Sequence, residues 1–220
     1  MNTERSTSRS IRRSPLIPPG DRSAYGPPPP PPAPHTGREL AALLGMMTER
    51  GQSPRIDAVT IGHSRDTASR AAAEAFADAW GEIAGKSVLG VVDWPEQAAS
   101  WLRPARRLTD PDPDAWVIAA APLGWAQLAR RLCHSTGWEA RRTFGFASLA
   151  DSRVVALAGQ GTLDGQGTLD GLRGVTGDGS RWRIERGWLT TRLTTRLAPA
   201  PDAPPPDGSA PDAPPPDGPA

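Results

Sequence analysis

Between residues 57 and 149 the chain alternates short, β-branched apolar runs with longer segments whose apolar residues recur at helical spacing, and this alternation limits the fold more than any other feature. "DAVTIGHS" (57–64), "SVLGVVDW" (87–94), "AWVIAAAP" (115–122) and "RTFGFASL" (142–149) read as strands. "DTASRAAAEAFADAWGEIAG" (66–85), "EQAASWLRPARRL" (96–108) and "GWAQLARRLCHS" (124–135) read as the helices between them. In the first helix Ala72, Phe76, Ala79, Trp80 and Ile83 share a face, and Asp66 is placed to cap its start. In the second, Ala98, Trp101, Leu102, Ala105 and Leu108 do so, with Pro104 predicting a kink or a break. In the third, Trp125, Leu128, Ala129, Leu132 and Cys133 form the inner face. Right-handed crossovers between consecutive parallel strands place helices on both sides of a sheet. The predicted class is therefore α/β, a doubly wound, mostly parallel sheet. An amphipathic helix over 37–51 precedes this core. Short strands near 171–176 and 181–190 follow it, with Arg186-Gly187 as a possible hairpin tip.

The ends have a different character. Residues 27–34 read "PPPPPPAP", and residues 199–220 carry a duplicated "PDAPPPDG". Such segments favour extended polyproline geometry and offer too few apolar side chains to offset the entropy of ordering. The expected organisation is a disordered basic, proline-rich arm (1–36), an α/β lobe (37–197) and a disordered Pro/Asp tail (198–220). Net charge is +1, which argues against nucleic acid as a partner. No apolar run approaches the ~18 residues of a membrane span, and no apolar core of a signal peptide precedes Tyr25. As written, the chain reads as cytoplasmic.

"VVALAGQGTLDGQGTLDG" (154–171) has the look of a strand entering a phosphate-binding loop. The fingerprint G-x-G-x-x-G would need glycine where Asp164 stands, and the stretch is a tandem repeat of "GQGTLD" at 159–164 and 165–170. "LTTR" repeats in the same way at 189–192 and 193–196. Duplication in the coding sequence explains these units better than a nucleotide site does, so the repeat is expected to be loop extension. His35, His63 and His134 lack metal-ligand spacing, and Cys133 reads as a core thiol. Trp80, Trp101, Trp116 and Trp125 fall at core positions. No catalytic set, metal or cofactor is indicated, and an enzyme is not expected.

In open α/β sheets ligands bind beyond the carboxyl ends of the strands. Those ends hold His63-Ser64, Asp93-Trp94, Pro122-Leu123-Gly124-Trp125 and Ala147-Ser148. The candidate ligand residues are His63, Ser64, Pro122, Leu123, Trp125 and Ser148.

The order and spacing of these segments over 37–176 resemble the type I periplasmic binding protein fold, closest to the leucine-binding, branched-chain amino-acid group of ABC-transporter substrate-binding proteins. The stretches that carry the resemblance are "GRELAALLGMMTERGQSPRIDAVTIGHS", the "DPDAWVIAAAP" turn into the central strand, "AQLARRLCHSTGW" and "SLADSRVVALAG". The resemblance implies one lobe, the second, of a two-lobed fold, and makes 151–158 a helix despite its valines. It also implies ligand contacts near Ala68, Pro122-Leu123 and Ala147-Ser148, where this chain has neither the aromatics nor the acid that the family commonly uses. The family is usually extracytoplasmic. The expectation is a non-enzymatic solute-binding module whose small-molecule ligand is held weakly by one lobe. The alternative is an interaction scaffold whose polyproline tract and acidic C-terminal repeats recruit partners, among them a polyproline-recognising protein.

Overall fold

The computed structural model describes residues 29–49, 54–159 and 167–192. Their elements run α1 (Gly37–Thr48), β1 (Ala58–Ser64), α2 (Thr67–Gly81), β2 (Ser87–Trp94), α3 (Leu102–Thr109), β3 (Ala115–Ala119), α4 (Pro122–Ser135), β4 (Thr143–Gly145), α5 (Ser152–Ala158), β5 (Arg173–Val175), β6 (Arg181–Glu185) and β7 (Trp188–Arg192). One sheet takes the strands in the order β2-β1-β3-β4-β5-β6-β7. The first five positions in that order are joined by parallel pairings, and β5-β6-β7 by antiparallel ones. The four strands expected to run parallel do so.

The sheet is covered on both faces, and β3 shows why its sequence is apolar throughout. Its residues alternate between two cores: Ala115, Val117 and Ala119 face one, Trp116 and Ile118 the other. The first core packs Val59, Ile61 and Phe144 against α1 and α2, through Leu43, Met47, Phe76 and Trp80. The second packs Trp94 and Trp182 against α3, α4 and α5, through Trp101, Leu108, Trp125, Leu132 and Val154. A two-sided sheet leaves no polar face on its central strand. Gly62 lets the second layer close: a Cβ there would stand 2.7 Å from the Trp94 ring.

Several boundaries differ from the sequence reading. β3 stops at Ala119, and Pro122 opens α4. Proline is pre-set for the first helical turn, where no partner for its missing N–H is needed. β4 is three residues long and is bracketed by 3-10 turns at Ala140–Arg142 and Ala147–Leu149. α3 begins at Leu102, so Pro104 lies in its first turn and neither kinks nor divides it. Asp66 caps α2 as expected, accepting from the Ser69 amide at 2.8 Å. Residues 152–158 are helical. Arg186 and Gly187 form the hairpin tip with φ of 51° and 75°, the doubly positive geometry that matches strand twist. Cys133 is exposed, one step round α4 from the buried Leu132, and is not a core thiol.

The glycine repeat follows helix α5 where a phosphate loop would open a helix, and Gly159 ends that helix at φ 100°. The described part of its second copy, 167–170, is built into the lobe. Leu169 is buried in the second core, and Asp170 accepts from the amides of Gly167 (2.9 Å) and Gly187 (2.8 Å). Residues 160–166, most of the first copy and the start of the second, lie outside the described residues, as do the arm up to residue 28 and everything after Arg192.

Candidate functional site

The strand order reverses direction between β1 and β3: the chain leaves β1 toward β2 on one side and returns to β3 on the other. At such a switch point the flanking loops separate and leave a crevice beyond the strand ends. Here that crevice has a volume of about 380 Å³. Its floor is Ala119 at the end of β3 and Phe146 just beyond β4. Its sides are Ala68, Ser69 and Ala72 from the start of α2, Pro122 from the start of α4, and Ala147, Ser148, Ala150 and Asp151 from the turn after β4. Thr36 and Glu39, at the start of α1, close one end.

Of the six candidate residues, Pro122 and Ser148 line this crevice. Ser64 is fully buried and spent on the frame: its hydroxyl donates to Asp66 Oδ2 at 2.6 Å and accepts the Ala121 amide at 2.8 Å. That pair of bonds ties the end of β1 to the start of α4. His63 is 8% exposed, with its Nδ1 2.8 Å from the Ser64 carbonyl oxygen. Leu123 is half-buried against the second core. Trp125 is wholly buried between Trp94 and Trp138, so it presents no apolar face to a ligand. Pro122 opens α4, so Trp125, three positions on, lies a turn away from the helix mouth.

Among the lining residues that escaped the sequence reading are Ser69, Phe146, Glu39 and Asp151. Ser69 was read only as part of a helix, and Phe146 as a strand residue. Glu39 is 3% exposed and far from the strands in sequence. It completes a capping box with Thr36, and its Oε1 accepts the Ala147 amide at 2.6 Å. The signal T-x-x-E was present; its partner 108 residues away was not. Asp151 supplies an acid beyond the fourth strand, but Arg153 chelates it through Nε at 2.9 and 3.0 Å. The hydrogen bond from Arg153 holds the Asp151 carboxyl below the usual range. Both crevice carboxylates are therefore satisfied within the lobe.

The fourth wall is the proline tract. Pro30 to Pro34 run along the crevice and lead into His35, whose ring meets Phe146 edge-on at a centroid distance of 6.2 Å. Burial along this tract repeats every third residue. Pro29, Pro32 and His35 are half-buried, while Pro30, Pro31, Ala33 and Pro34 are exposed. Three residues per turn is the polyproline II period, so one edge of an extended helix faces the lobe. Residues 29–36, expected to belong to a disordered arm, lie instead against the lobe. Thr36 anchors them, donating to the Gly177 carbonyl at 2.6 Å.

Among the described residues no His, Cys, Asp and Glu side chains gather as metal ligands, and no helix is long and apolar enough to cross a membrane. No family model and no curated protein matches the sequence. Solved structures do match. An extracellular ligand-binding receptor from Rhodopseudomonas palustris has a TM-score of 0.50 at 16% identity, over 64% of this chain and 35% of that one. A protein from Silicibacter pomeroyi, described as a branched-chain amino acid ABC transporter, has a TM-score of 0.50 at 16% identity, over 62% of this chain and 33% of that one. The chain spans about a third of the length of these structures. At such identity the likeness concerns the fold: the described residues have the architecture of one lobe of the type I periplasmic binding protein fold.

Proposed function

We infer that the lobe is a solute-binding module, and that its crevice takes a small, uncharged, mostly apolar ligand. The observation that carries this reading is the crevice itself. It sits at the switch point where folds of this kind bind ligands, and its volume of about 380 Å³ suits a small molecule. Its walls are alanines, Pro122 and Phe146, with the Ser148 hydroxyl as the polar group left to orient a guest, since the Ser69 hydroxyl is buried and bonded to that of Ser64 at 3.1 Å. Its two carboxylates are already paired, which disfavours a cationic ligand. The reading is non-catalytic: Ser64, the buried hydroxyl nearest a histidine in sequence, is committed to Asp66 and Ala121.

The test is thermal shift followed by calorimetry, with a panel of small neutral solutes set against charged ones. Neutral apolar solutes raise the melting temperature, and Ala68→Phe, which puts a ring into the crevice mouth, abolishes the response. A flat response across the panel overturns the reading.

A second reading is an interaction scaffold. It is favoured by the exposed face of Pro30, Pro31 and Pro34, which a polyproline-recognising domain with an aromatic groove would fit. Binding of such a domain, lost when these three prolines become serine, tests it.

A further inference from the structure

We propose that the proline strap, residues 29–35, is the closing wall of the crevice: a stiff cover, docked in cis by one edge, that controls entry. The proposal builds on the reading of the crevice as a solute site, but its geometry stands apart from any ligand. A flexible tail lying on a surface would bury its residues irregularly. This tract is half-buried at Pro29, Pro32 and His35 and exposed between them, as a regular three-residue helix laid along a groove would be.

The chemistry of the tract suits this role. Polyproline is already extended before it docks, so little chain entropy is lost on docking. Its carbonyls have no partner within their own helix and tolerate water on the outer side. One end is fixed to the lobe. Thr36 bonds to the Gly177 carbonyl and joins Glu39 in the capping box, and Glu39 in turn holds the Ala147 amide beside Ser148. The anchored end and the crevice turn are thus one hydrogen-bonded unit. Among the described residues no hydrogen bond ties the prolines beyond it to the lobe; next to them the His35 ring meets Phe146. The strap can therefore swing from Thr36 while α1 stays seated.

Stiffness is the property to remove. In the full chain, Pro29–Pro34 are replaced by alternating glycine and serine at unchanged length, in a Ser148→Cys background. The rate of alkylation by iodoacetamide is read at each cysteine by mass spectrometry, and native Cys133, exposed at the far end of α4, is the internal reference. The expected result is alkylation at position 148 about tenfold faster with the Gly/Ser strap than with prolines, and an unchanged rate at Cys133. Equal rates at 148 overturn the proposal. Should the replaced chain fail to fold, Pro32→Gly alone breaks the docked edge and must raise the rate at 148 severalfold; no change there also overturns it. No solute enters this experiment. A failed solute panel leaves the labelling result standing, and equal labelling rates leave the panel standing.

Discussion

Two serines at or beyond strand ends on either side of β3 show how little a residue's place in sequence says about its work. Ser64 closes a buried bridge from Asp66 to the Ala121 amide, whereas Ser148 stands half-exposed in the crevice wall. Ser64→Ala leaves a buried N–H and a carboxylate short of a partner and is expected to cost about 1–3 kcal/mol. Ser148→Ala is expected to stay within ~0.5 kcal/mol. Urea melts of both variants check this; equal losses would mean that Ser64 is not a frame residue. Glu96 gives a pH signature. Its Oε2 accepts the Gly124 amide at 2.9 Å at the start of α4, but its Oε1 is buried with no hydrogen-bond partner among the described residues. Desolvation pushes its pKa up from 4.5 to about 7, against the lowering effect of the Gly124 bond. The folded state then holds a proton that the unfolded state has released between those two values. Stability from this group is present below pH 4.5 and is lost as pH rises toward 7. Glu96→Gln should flatten the stability profile across that window. Parallel profiles for variant and parent would refute the assignment.

At the scale of the element, the glycine repeat is where duplication and structure meet. Deleting 165–170 or 159–164 yields the same chain, so the surviving "GTLD" can take the places of Thr168, Leu169 and Asp170. The geometry permits it. The Thr168 amide already reaches the Gly159 carbonyl at 3.4 Å, and after the deletion those two residues stand three apart, the spacing of a β-turn. The shortened chain should keep the fold and change stability by less than ~1–2 kcal/mol. Leu169→Ala in the full chain removes a side chain that is 1% exposed and should cost about 2–5 kcal/mol. Chemical denaturation of the two side by side decides the matter. A deletion as damaging as the leucine truncation would show that both copies are structural.

For the whole molecule, one crevice wall comes from the sheet ends and another from a narrow strap. Small sites normally enclose ~70–90% of their ligand, and a strap covers less than a second lobe would. Among the described residues the crevice also has no unpaired carboxylate for an ammonium group, since Glu39 and Asp151 are both engaged. Leucine, isoleucine and valine should therefore bind no tighter than about millimolar, or ~4 kcal/mol. Calorimetry against the three amino acids measures this, and a micromolar constant for any of them would show that a carboxylate is released on binding.

The sequence by itself determined the elements and their order. Alternating periodicities mark β1 to β4 and the helices between them. The buried stripes of Trp80, Trp101 and Trp125, the Asp66 cap and the turn at Arg186-Gly187 could all be read before any coordinates. Each is a local signal, written within a few residues by backbone geometry and side-chain spacing. The tertiary structure alone decided which polar groups the frame consumes and which the crevice keeps. Ser64 looked free until Ala121 arrived from 57 positions away, and Glu39 had no visible purpose until Ala147 met it. The proline tract read as a solvated arm because its composition offers no core. What holds it is a groove assembled from β3, α2 and the turn after β4, and only folding brings those segments to one place.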